Sequence, residues 1–238
     1  LDAQYWQLVD KLQAVLGHPN ASAHGADLRN MPTVVTSKGS VRGGLYVGSS
    51  FAESLLLESG AGVTPLGWGR VDATGVRKLL GIHHLYFFTA HAPRVLAQNK
   101  GSNLLARLSQ HLTEAATAQP INTSSPLLLL GHDTNLANLA ELLNMTWTAG
   151  SYGGNATLPG SGLRFDLIAR SSGQQSEKML VRIFYTWADI QHMDGVMHTA
   201  PVEFVGDVGA VGPGTLPLAA WLRLVQNAVD PQCVSNKA

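Results

Sequence analysis

Apolar positions in the first half of the chain recur at three- and four-residue spacing. Over residues 5–16, Leu8, Val9, Leu12, Val15 and Leu16 fall on one helical face, and Gly17 with Pro19 ends the helix. Residues 41–57 carry Leu45, Phe51, Leu55 and Leu56 at mixed helical spacing. Gly43, Gly44 and Gly48 lower the helix propensity there and point to close packing against another helix. Residues 71–90 present a stripe of Val76, Leu79, Leu80, His83 and Phe87. Pro93 opens a helix at its first turn, and residues 102–116 supply a further one through Leu104, Leu105, Leu108 and Leu112. Residues 20–39 and 64–70 read as turn and loop.

The pattern changes after a polar stretch over residues 118–126. Residues 127–130 are all leucine, the continuous apolar run of a strand buried on both faces. Gly131, His132 and Asp133 follow at once, and residues 135–143 are helical, with Leu136, Leu139, Ala140 and Leu143 in register. Residues 163–169 and 179–186 are strand-like and flank the turn-prone Ser171, Ser172, Gly173 and Gln174, which makes them a hairpin. A loop-rich tract leads to Pro217, and residues 218–229 form an amphipathic helix. Helices first and strands later, joined by one strand-loop-helix unit, predict an α/β protein of two lobes, a mostly helical one over residues 1–118 and an α/β one over residues 119–238.

Composition narrows the function classes. A chain of 238 residues buries roughly three quarters of its unfolded surface, so folding requires neither metal nor disulfides. With 45% hydrophobic and 13% charged residues, intrinsic disorder and charge-rich coiled coils are excluded. Sixteen Lys and Arg balance sixteen Asp and Glu, leaving no basic field to hold nucleic acid or a membrane surface, although nine His turn the chain cationic in acid. No apolar run has the length of a membrane span. The start lacks an initiator Met and a basic-then-apolar leader, as in a processed or excised chain. Cys233 is the single cysteine, so it is either a plain thiol or half of a disulfide to another polypeptide.

The candidate chemistry sits after the leucine run. A buried strand that turns directly into a helix places its loop where open α/β sheets bind ligands, and the helix amides there attract anions. Asp133 or Thr134 can cap that helix. His132 is harder to explain as a cap: the helix dipole opposes a cation at this end, so an arriving anion accounts for it better. A bare His-Asp pair carries little information, and its context carries the rest.

The stretch Leu-Leu-Leu-Leu-Gly-His-Asp-Thr-Asn-Leu-Ala-Asn-Leu from residue 127 resembles the second signature of the histidine acid phosphatases, in particular the bacterial branch of phytases and glucose-1-phosphatases. Gly67-Trp68-Gly69-Arg70, the helix from Pro93 to Gly101-Ser-Asn-Leu-Leu, and the terminal Ala228-Val-Asp-Pro-Gln-Cys233 fit the same branch, so the resemblance covers essentially the whole chain. It implies a histidine-phosphatase-like sheet with flanking helices plus the helical lobe, and metal-free, cofactor-free hydrolysis of phosphate monoesters such as inositol or sugar phosphates through a phosphohistidine. By resemblance His132 holds phosphoryl oxygens and Asp133 protonates the leaving alkoxide. Thr134, Glu53 and His91 are substrate-binding candidates. Helix capping competes for Thr134 and a solvated helix face for Glu53, while His91 stands where relatives often carry Arg.

One departure is large. No Arg-His-Gly triplet occurs in these 238 residues, so the family's nucleophile motif is absent. His24 precedes Gly25, but Ala23 stands in place of the arginine. The chain therefore resembles the carboxyl-terminal part of such an enzyme, with the N-terminal part of the fold missing from it. The resemblance then gives Cys233 a disulfide partner in a companion N-terminal segment, and a periplasmic or secreted location. The alternative is a noncatalytic phosphate-binding or interaction module. His83 and His84 invite a metal reading, but adjacent helical residues diverge by about 100°, which leaves one core and one surface histidine. Four Asn-x-Ser/Thr sequons, at Asn20, Asn122, Asn144 and Asn155, matter only in a eukaryotic secretory host.

Overall fold

The structure is a computed structural model that describes residues 3–17, 27–36, 40–118, 126–170, 179–189 and 196–235. The sequons at Asn20 and Asn122, the His24-Gly25 pair and the Ser171–Gln174 turn lie outside the described residues.

The chain divides into two compact units, Leu1–Ala90 with Ala149–Ala156 and Ala188–Met197, and His91–Thr148 with Thr157–Trp187 and His198–Ala238. In the first unit, α1 (Ala3–Val15) and α3 (Ala73–His91) follow the apolar spacing, and α2 spans Gly44–Gly60. The segment read as one helix from residue 41 begins instead as strand β2 (Val41–Arg42), paired antiparallel with β1 (Val34–Val35). Gly43, at φ 93°, makes the turn into α2, and a Cβ there would lie 1.9 Å from the Pro32 carbonyl oxygen. The glycine-rich face of α2 packs as its composition requires: a Cβ on Gly48 would come within 3.2 Å of Ile82 on α3 and 3.7 Å of Leu12 on α1. Leu12, Leu45, Ala52, Leu55, Leu56, Val76, Leu79 and Ile82 form the buried core between these helices.

In the second unit, the two helices expected on either side of Gly101 are a single helix, α4 (Arg94–Thr117). Gly101 is no breaker. It is buried where α4 meets α5 (Asp133–Leu142), and a Cβ there would fall 2.9 Å from Leu142 Cδ1 and 3.1 Å from Asn138 Cβ. The hairpin is realised as β4 (Gly162–Ala169) and β5 (Met179–Ala188), antiparallel with Leu163 opposite Tyr185 and Phe165 opposite Ile183. The tract read as loop contributes strands after all. β3 (Met145–Thr146) pairs with β7 (Glu203–Phe204), β6 (Met197–Pro201) joins the hairpin sheet beside β5, and β8 (Thr215–Pro217) also pairs with β5. Two to five residues are too few to carry a period-two signal.

α6 (Leu218–Ala228) buries Ala220, Trp221 and Val225. Trp221 lies edge-on to Phe165 and donates its indole N–H to Ser109 Oγ at 3.2 Å, tying α6 to the sheet and to α4. Trp147 stacks on Tyr185 with ring centroids 4.7 Å apart.

The leucine run departs most from expectation. Residues 127–130 join no described strand pair, and their exposures are 46, 82, 47 and 92%. A run of this kind becomes a central strand only when strands pair along both its edges and helices cover both its faces, and among the described residues no strand pairs with it. The period of two in the exposures is nonetheless that of a strand, with Leu128 and Leu130 turned to solvent.

Candidate active site

Gly131 and Asn135 shape the start of α5. His132 is the cap residue with extended backbone (φ −119°, ψ 164°), and its N–H donates to Asn135 Oδ1 at 2.8 Å. This is half of a capping box, with asparagine three residues into the helix reaching back over the first turn. A Cβ at residue 131 would lie 2.8 Å from that oxygen, so glycine leaves room for the return. The exposed His132 is thereby held at the positive end of the helix dipole. Asp133 is half-buried and accepts the Thr134 N–H on Oδ1 at 2.7 Å. The loop thus offers an imidazole, a carboxyl group and a helix terminus, the functional groups that bind a phosphoryl group and pass a proton to a leaving oxygen.

His91, the last residue of α3, joins the same unit. Its carbonyl oxygen accepts Asn138 Nδ2–H at 3.2 Å. Asn138 lies six residues along α5 from His132, about 9 Å at the helical rise. His132, Asp133, Thr134 and His91 therefore share the second unit, and Glu53, half-buried on α2, belongs to the first. Sequence reasoning missed the two asparagines. Asn135 was legible as a polar residue at the third helical position behind the cap; Asn138, a buried polar residue amid Leu136, Leu139 and Ala140, gave no such signal.

Cys233 is a free thiol whose Sγ donates to Asn99 Oδ1 at 3.3 Å, and partial desolvation together with the nearby Asp230 carboxylate raises its pKa. Among the described residues, no three His, Cys, Asp or Glu side chains converge on a metal position, and no helix is long and apolar enough to cross a membrane. His84, read as a surface residue, is in fact only partly exposed: its ring packs so closely on Gly153 that a Cβ there would lie 3.0 Å from it.

The architecture matches solved structures over almost its full length. Hafnia alvei phytase in its apo form aligns with 98% of the chain at a TM-score of 0.80 and 23% identity. The phytase from Citrobacter braakii aligns with 98% at 0.78 and 20% identity. The chain has the fold of the bacterial phytases. Phytase AppA of Escherichia coli (strain K12) is a relative in sequence, 28% identical over 204 residues that make up 82% of this chain. The histidine acid phosphatase resemblance read from the sequence thus holds across the chain, as does the α/β fold class with part of the fold missing. No family model matches the chain. It spans 47% of the length of phytase AppA and 61% of the Hafnia alvei enzyme.

Proposed function

We propose that this chain supplies the phosphate-binding and proton-donating half of an acid phosphomonoesterase of phytase type, completed by an N-terminal segment that carries the nucleophilic histidine. The observation that supports this reading most is the capped loop of His132, Asp133 and Thr134 at the start of α5, within a fold shared with phytases. In the completed site the nucleophile's ring nitrogen attacks phosphorus and the bond to the ester oxygen breaks. His132 holds phosphoryl oxygens as charge builds on them, and Asp133 gives its proton to the departing oxygen. Water then attacks the phosphohistidine, its proton passes to Asp133, and the P–N bond breaks to release phosphate. Thr134 and His91 contact the phosphorylated substrate, an inositol or sugar phosphate.

The exposed leucines support the companion segment. Burying Leu128 and Leu130 against such a segment is worth roughly 1.5–3 kcal/mol for each side chain, since both stand exposed in this chain. Cys233 forms a disulfide with the same segment, which requires an oxidising compartment, periplasmic or extracellular. One observation favours a noncatalytic phosphate-binding module instead, namely that no Arg-His-Gly occurs in the 238 residues. Intact-mass analysis of the native protein under reducing and non-reducing conditions, with a phosphomonoester assay in acid, separates the two. A companion polypeptide with turnover is expected. A solitary chain that binds phosphate without turnover refutes the enzyme reading.

A further inference from the structure

The outer face of the β4–β5 hairpin gathers charge that the proposed active site does not use. Arg164 and Phe184 are cross-strand partners, as are Asp166 and Arg182, so these four side chains lie on one face of the sheet, away from the buried Val181, Ile183 and Tyr185. Phe184 holds two guanidinium groups against its ring, Arg164 at 4.4 Å from the centroid and Arg182 at 6.0 Å. The one carboxylate of the group, Asp166, is taken by Arg164 Nε at 3.1 Å. Among the described residues, Arg182 and the exposed Arg170 form no ion pair. Three of the chain's sixteen cationic residues therefore meet on a small area with one acid between them.

A cleft of about 490 Å³ opens at this place. Arg170 and Arg182 line it together with Leu180, Phe184, Pro201, Val211 and Pro213, and none of its lining among the described residues is acidic. The Thr215 hydroxyl at its edge already donates to the Pro213 carbonyl at 2.9 Å, so among the described lining side chains Arg170 and Arg182 supply the donors. A guanidinium meets a phosphate or sulphate group through paired N–H donors, and two of them, one seated on an aromatic ring, hold such a group more firmly than a bare anion holds to open surface.

We propose that this cleft is a second anion site, taking a phosphate ester whose charged group lies between Arg170 and Arg182 and whose carbon skeleton rests on the wall of Leu180, Pro201, Val211 and Pro213. It stands apart from the loop of His132, since none of its lining residues takes part in the proposed reaction, and it holds whether or not the chain turns over substrate.

The non-hydrolysable probe is myo-inositol hexakis sulphate, the ester bound in one solved Hafnia alvei phytase structure. Titration of the full chain, followed through the arginine Nε–H resonances, should give saturable shifts for Arg170 and Arg182. The double variant R170Q/R182Q should weaken this binding at least tenfold, and H132A should change it less than twofold. Equal affinity of the double variant and the native chain overturns the proposal, as do shifts reproduced by sodium chloride at matched ionic strength. Inorganic phosphate should bind more weakly than the ester. If it binds equally well, the apolar wall contributes nothing and the ester assignment fails.

Discussion

Acidification should destabilise the first unit through His84. Burial of this side chain and the neighbouring His83 lower its pKa from 6.5 to about 4. The folded state thus holds the ring neutral over a pH range in which the unfolded chain protonates it. Above pH 6.5 both states carry neutral imidazole and the group has no effect. As pH falls from 6.5 towards 4 the unfolded chain takes up a proton that the folded chain does not, and stability is lost; below 4 both bind it and the loss stops growing. At about 1.4 kcal/mol per pKa unit, the shift corresponds to roughly 3 kcal/mol, an upper figure because the ring retains some exposure. The measurement is urea unfolding of the native chain and of H84Q at pH 7 and at pH 4, read by tryptophan fluorescence. Any packing defect introduced by glutamine is present at both pH values and cancels in the difference. The native chain should lose about 3 kcal/mol more than the variant between the two. Equal losses, or an NMR titration that puts the His84 midpoint near 6.5, would refute the reasoning. On the expected result, a protein proposed to work in acid carries a stability cost in its own working range.

Three further outcomes follow from the geometry. In the completed enzyme D133N retains an acceptor for the Thr134 amide but loses the acid, so turnover should fall roughly 10²–10⁴-fold while phosphate affinity changes little; parallel losses in kcat and in phosphate binding would remove Asp133 from its role. G101V drives a branched side chain into Leu142 and Asn138 and should cost about 1–3 kcal/mol in chemical denaturation, whereas an unchanged midpoint would mean that α4 and α5 are not packed as closely as described. L128K/L130K alters two exposed side chains, so the stability of the isolated chain should stay within about 0.5 kcal/mol, yet association with the N-terminal segment and acid phosphatase activity should drop together. Full activity in that variant would show that the leucine run is not the joining strand.

The helices of the first unit were readable because their apolar periodicity is long enough to specify both type and buried face, and the hairpin because its two segments alternate over eight residues or more. The single helix α4 was read as two because its apolar positions are dense only after residue 101, whereas Gly101, which lowers helix propensity, is held within it by the close contact with α5. His84 misled similarly, since its distance from the apolar stripe says nothing about Gly153, which the fold brings against it from sixty-nine positions away. Within the candidate site, the residue types at 132 and 133 and the strand-loop-helix setting were legible, while the Asn135 return bond and the Asn138 clamp on His91 required coordinates.

By itself, then, the order of residues determined where the helices run, which hairpin forms and which loop bears the imidazole and carboxyl group, because those features arise from contacts between near neighbours. The tertiary structure alone decided which glycines are there for packing, how far a histidine is desolvated and that a perfect strand sequence stands uncovered. Each of these depends on what lies across from a residue: among the described residues no strand pairs with the leucine run, and Leu128 and Leu130 stand bare.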